Sequence, residues 1–254
     1  METISFEMIL NSATQLPLVK INRASFLRKQ LAPYVSPAAV EIAISKSPST
    51  AKIPLETINV IAKHCINLET NKVSAISFAA GVPGGFTMLG TVPADLAQFT
   101  AHQLRISQKL AYLYGWEELF GEDGMDDGTQ DIMTLFFGIM FGVNGATTVV
   151  SQIAKQAATA TVKKLPQKAL TKGAIYPIVK QIAKILGQRM TKDIFAKGVG
   201  KVIPIVGGFI SGGLTYAMFK PMSYKLQKHL KTLPLATSSY DANIFYEADN
   251  IVDM

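Results

Sequence analysis

Asp95, His102 and Arg105 lie within about three helical turns of one another and carry the residue types that general acid–base chemistry uses. On a helix only residues three or four apart face each other, so the three share a surface in part. Asp95 has the most unusual setting of any acid in the chain. It follows a long uncharged segment and opens the most regular helical pattern. Its simplest role is a first-turn acid facing the helix dipole, worth less than about 1 kcal/mol at an exposed site. The competing role is an acid at the edge of an apolar groove, paired with Lys or Arg. The dipole role is the preferred one, because nothing in the sequence places Asp95 in a low-dielectric site.

Other chemical motifs fail on inspection. Gly198-Val199-Gly200-Lys201-Val202 lacks the earlier Gly and the hydroxyl that a phosphate-binding P-loop needs. Ile203 stands where a dinucleotide fingerprint wants its third Gly. Ser211 has Phe209 in place of the first Gly of a nucleophile elbow. An EF-hand reading around Gly128 keeps Asp123 and Asp127 but puts Met125 and Thr134 at ligand positions, so a solvated acidic loop is the better reading. His64, His102 and His229 are too scattered for a metal motif. Cys65 reads as a small, at least half-buried residue rather than a nucleophile. No metal, cofactor or catalytic residue is expected.

The elements that must position these residues are helical. Leu96, Phe99, Gln103, Ile106, Leu110 and Leu113 alternate spacings of three and four, which predicts a helix over Asp95–Tyr114 ended by Gly115. Short proline-separated helices are expected at Ile4–Ala13, Arg23–Leu31, Pro37–Ser45 and Pro54–Leu68. Ile132–Ala154 carries no charge and spaces Gly138, Gly142 and Gly145 as a close-packing helix face would. Ser151–Val162 is Ala-rich and helical. Ile175–Met190 is amphipathic, with Ile178, Val179, Ile182, Ile185 and Leu186 on one side and Lys180, Lys184 and Gln188 on the other. Met222–Leu233 is basic and helical.

Two glycine-rich uncharged segments, Val73–Ala94 and Val202–Phe219, precede charged elements. Both approach the length of a membrane span, yet Gly and Pro interrupt them, so packing as helical hairpins is favoured over insertion. Gly81, Gly85, Gly138, Gly142, Gly208 and Gly212 are the expected helix-packing glycines. The fold class is therefore all-α: a compact helical domain with closely packed glycine-rich hairpins, short N-terminal helices and a flexible acidic tail. The organisation reads as a short-helix region over 1–72, a helical core over 73–233 and the tail over 234–254.

Charge is unevenly placed. The 254 residues carry net +7, with 48% hydrophobic and 17% charged residues. Fifteen Lys/Arg and one acid, Asp193, lie between Lys155 and Lys231, and seven acids without a base lie between Glu117 and Asp131. Such a one-sided block suggests an anionic partner. The single cysteine excludes an internal disulfide and suits a reducing compartment. METISFEMIL lacks the basic and apolar regions of a signal peptide, so a cytoplasmic location is expected.

The run Ala80–Gly115, with Ala94-Asp95 and Tyr114-Gly115, and the later Ile203-Pro204-Ile205-Val206-Gly207-Gly208, resembles the EcsC family of bacterial proteins. The resemblance covers about Val73–Leu233. It implies a helical, cytosolic or membrane-associated protein and carries over no catalytic residue.

The expected function is a non-enzymatic protein, peripheral on the inner face of the cell membrane, that binds anionic lipid or a membrane protein. Lys163, Lys164, Lys168, Lys172, Lys180 and Lys184 would meet the anionic surface, and the amphipathic Ile175–Met190 could lie in it. The alternative is a soluble lipid-binding or small-molecule-binding protein with a pocket lined by Phe78, Phe86, Met88, Phe99, Phe137 and Phe141. An enzyme built on Asp95, His102 and Arg105 ranks below both. Nucleic acid is disfavoured, since aromatics are not interleaved with the lysines. Oligomeric state is left open.

Overall fold

Four short polar side chains start helices at the places where a donor-rich helix end needs an acceptor. Met8 N–H donates to Ser5 Oγ, Ser25 N–H to Asn22 Oδ1, Ala39 N–H to Ser36 Oγ and Thr129 N–H to Asp126 Oδ1. The first three open α1 (Phe6–Thr14), α2 (Arg23–Leu31) and α3 (Pro37–Ser45). The last opens α6 (Asp127–Met140). A computed structural model describes residues 4–17, 19–81, 88–89, 92–121, 124–159, 175–190 and 204–237. They form an all-helical protein; the remaining helices are α4 (Leu55–Gly81), α5 (Ala94–Leu113), α7 (Ala146–Thr159), α8 (Tyr176–Arg189) and α9 (Pro204–Leu230). The extended structure named among the described residues is a two-residue antiparallel pairing of Met88–Leu89 with Val92–Pro93 and one isolated bridge, Gly121 to Gly124.

α5 is the axis of the fold. It packs against α1, α2, α4, α6 and α9. Its sequence stripe Leu96–Leu113, Gln103 included, is buried as expected, but so are Thr100, His102, Ser107 and Gln108 on its other sides. α4 and α9 make the most extensive helix pair, and α6 and α7 form a hairpin. Aromatic rings lock these layers edge to face: Phe6 on Phe137 at 5.5 Å, Phe99 on Phe219 at 5.8 Å and Trp116 on Phe136 at 5.2 Å. Phe99 and Phe137 are both buried core residues, each in ring contact with a different partner. Phe78 and Phe86 lie outside the described residues, as does the Met88 side chain.

Several expectations need correction. α4 runs unbroken to Gly81, so the boundary drawn at 72 falls inside a helix. The short N-terminal helices are no separate region either, since α1 and α2 bury Phe6, Ile9, Leu10 and Leu27 in the same core as α5. Ile132–Ala154 is two helices. Gly142 and Gly145 have φ of +67° and +88°, so they turn the chain between α6 and α7 and are not packing positions. Gly138 is a packing glycine: a Cβ there would lie 2.8 Å from Ala146 Cβ and 2.9 Å from Ile182 Cγ2. On α8 the buried face is Val179, Ile182, Ala183, Leu186 and Gly187, while Ile178 is 38% exposed. That face packs on α1 and α6, so it is not free to enter a membrane interface. α9 continues through Pro221, joining what reads as two elements in the sequence. Gly81 ends α4 and Gly208 and Gly212 lie in α9, with their surroundings outside the described residues; Gly85 also lies outside.

The beginning of the acidic tail is packed. Pro234–Ala236 forms a 3-10 turn against α7, and Ser49 Oγ donates to Leu235 O at 3.0 Å. Residues 238–254 lie outside the described residues. Gly115 has φ +92°, and a Cβ on it would collide with the Leu235 carbonyl. Gly115→Ala therefore combines left-handed strain of about 1–2 kcal/mol with displacement of this turn. The expected loss is about 2–4 kcal/mol in urea unfolding; a loss below about 1 kcal/mol would mean that the turn does not dock.

Candidate functional site

Glu69 lies on the buried stripe of α4, between Cys65 and Val73, and is fully buried. His102, Arg105 and Lys109 sit at spacings of three and four along α5 and face it. His102 Nδ1–H donates to Glu69 Oε2 at 2.8 Å. Lys109 Nζ reaches Oε1 at 2.5 Å and Arg105 reaches the same oxygen at 3.4 Å. Burial alone would raise the Glu69 carboxyl. The His102 hydrogen bond, Lys109 and Arg105 outweigh it and hold the group well below the usual carboxylate range.

Both oxygens of Glu69 are engaged by these donors. The cluster therefore clamps α4 to α5, and it presents no free carboxylate to act as a base. Burial pushes the nearby Cys65 thiol up to about 11, which makes it a poor nucleophile. Of the three residues singled out as a polar site, the structure brings His102 and Arg105 together. Asp95 stands in the first turn of α5, with its side chain outside the described residues.

A second polar cluster surrounds Arg23, a guanidinium only 7% exposed. It donates to the carbonyls of Ala43, Ile44 and Lys46, which end α3, and to Trp116 O. Burial lowers its pKa, opposed by Glu117 and Glu118. Glu118 also accepts the Arg23 backbone N–H and the Tyr112 hydroxyl. The acidic segment is thus folded onto the α2 start, not simply solvated, and it buries Trp116, Leu119 and Phe120. Further along, burial and Asp127 push Asp131 up to about 6. Among the described residues no group of acids, His and Cys could hold a metal ion.

The open site is basic. Asn59 and Lys63 on α4, Tyr224, Gln227 and Lys228 on α9, and Lys231 just past its end line a groove of about 370 Å³. Two of the lining residues are bridged by Tyr114, which donates to Asn59 Oδ1 at 2.8 Å and accepts from Gln227 Nε2 at 3.0 Å. On the same helix Tyr216, Lys220, Tyr224 and Lys228 recur every four residues, with Lys220 Nζ 5.2 Å from the Tyr216 ring centre, so aromatics do alternate with lysines here, contrary to the sequence expectation. Tyr216 is 42% exposed.

Sequence reasoning placed its lysines elsewhere. Lys163, Lys164, Lys168 and Lys172 lie outside the described residues. Lys180 is exposed but pairs with Glu7 at 3.4 Å, and Lys184 is exposed on α8. Glu69, Lys109, Arg23, Asn59 and Lys63 were missed. A signal existed for Glu69, an acid in register with Ile58, Ile61, Cys65 and Val73. For Lys228 and Lys231 it was the basic end of Met222–Leu233.

Fold and sites define an all-helical protein with a largely buried ion cluster and an open basic groove. No protein-family model, curated protein or solved structure matches the chain.

Proposed function

We propose that this is a non-enzymatic protein that binds peripherally to an anionic membrane surface on the cytoplasmic face. The carrying observation is the row Tyr216, Lys220, Tyr224 and Lys228 on α9, whose last two residues share a groove with Lys63 and Lys231. Tyrosine rings and lysine stems are partly apolar and suit the headgroup layer, while the ammonium groups meet phosphate. No helix among the described residues is long and apolar enough to cross a membrane, which fits surface contact through side chains.

The test is flotation of the full-length chain with neutral and anionic vesicles. Capture by anionic vesicles alone is expected, with release between about 0.1 M and about 1 M salt as the screening length falls from about 10 Å to about 3 Å. Lys220→Glu should weaken capture roughly thirtyfold, at about 1 kcal/mol per charge unit. Equal capture by neutral vesicles, or none by either, would reject the reading.

A further inference from the structure

Three lysines line the α4–α9 groove, and no carboxylate is in its lining. Tyr224, Gln227 and Lys228 on α9 and Lys231 in the turn that follows it fall at spacings of three and four, and Asn59 and Lys63 are one turn apart on α4. The first turns of α4 therefore lie beside the last turns of α9, and the two helices run antiparallel. Lys63, Lys228 and Lys231 form no ion pair with any described residue. The acid nearest in sequence, Glu56, precedes Asn59 by three positions and is not part of the lining. His229 turns the other way, toward Ser151 on α7 at 3.5 Å.

Two of the lining residues, Asn59 and Gln227, are held by the buried Tyr114. Burial raises this phenol to about 12, so it keeps its proton and must both donate and accept. It donates to Asn59 Oδ1, which leaves the Asn59 amide N–H groups for another acceptor. The groove therefore offers three ammonium groups and an amide donor, with lysine stems and the Tyr224 ring as apolar walls. Donors of this number match the three terminal oxygens and double charge of a phosphate monoester better than the single charge of a diester.

We infer that this groove binds a phosphate monoester, either on a small soluble molecule or as the exposed headgroup of a lipid. The inference deepens the membrane-surface reading by naming the chemistry that one part of that surface selects.

Full-length protein is compared with two variants that lose the same charge. The groove variant carries Lys63→Gln, Lys228→Gln and Lys231→Gln. The control carries Lys29→Gln, Lys46→Gln and Lys155→Gln, all exposed and outside the groove. Circular dichroism and melting confirm that both fold, and single substitutions replace the groove variant if it does not. One arm measures flotation with vesicles containing phosphatidic acid, a monoester, or phosphatidylglycerol, a diester, at matched surface charge. The other titrates glycerol phosphate and inorganic phosphate by calorimetry.

The inference expects about tenfold tighter capture by phosphatidic acid in the native and control chains, and its loss in the groove variant. Groove-dependent heat with glycerol phosphate would show that the soluble form is accepted too. If vesicles capture nothing but glycerol phosphate binds through the groove, the membrane reading fails and the groove assignment stands. Equal capture by both anionic vesicles, with no groove-dependent heat, overturns the groove assignment and leaves the membrane reading. Identical behaviour of the two variants in both arms also overturns it.

Discussion

Glu69→Ala is expected to destabilise the protein by about 3–5 kcal/mol, because it leaves Lys109 and its neighbours facing an empty, largely dry site. That is a large share of the roughly 5–15 kcal/mol that holds an ordinary domain together. Glu69→Gln keeps the volume but not the charge and should lose somewhat less. The informative comparison is the pair Glu69→Met with Lys109→Met, which removes both charges and fills their space. It should recover much of the loss, since paired apolar replacement of a buried ion pair is often close to neutral. Urea midpoints of the single and double variants give the coupling between the two positions. A Glu69→Ala loss below about 1 kcal/mol would mean the cluster does not clamp α4 to α5.

The same cluster makes a prediction about acid. Glu69 has a folded-state pKa below its unfolded value of about 4.3. Its contribution is therefore fully present above that unfolded value and is lost as pH falls through the folded one. The native chain should lose stability below about pH 4 more steeply than Glu69→Gln, whose amide does not titrate. Parallel pH curves for the two chains would refute this role.

Arg23→Met is the second large effect, expected at no less than about 3 kcal/mol. The substitution strands the last carbonyls of α3 and Trp116 O inside the protein, each costing about 1–3 kcal/mol when unpaired and unreached by water. Arg23→Lys should recover only part of this, because one ammonium cannot span acceptors that the planar guanidinium reaches at once. Thermal unfolding of the three chains decides it. If lysine restores full stability, the charge matters and the fork geometry does not.

Helix placement was legible where local physics decides it. Ser36-Pro37 marks the start of α3, the alternation from Leu96 to Leu113 marks α5, and Arg23–Leu31 appears as read. Helix ends were misjudged where tertiary contact carries a helix past the end that local pattern suggests. α4 passes the expected stop at Leu68, because α9 packs along it and buries positions that composition alone leaves ambiguous. α9 passes through Pro221 in the same pairing. Conversely, the charge-free run Ile132–Ala154 is cut by left-handed turns at Gly142 and Gly145, which hydropathy cannot see.

By itself, the sequence determined the all-helical class, the caps, the buried stripe of α5 and the excess of basic charge toward the C-terminal half. These depend on residues within a few positions of each other, where periodicity and capping act. Only the tertiary structure decided that His102 and Arg105 serve Glu69, that the α8 apolar face is used internally, and that Lys63 joins Lys228 and Lys231 at one groove. Those pairings link positions from tens of residues to more than a hundred apart. They follow from how helices cross and pack, which no local pattern encodes.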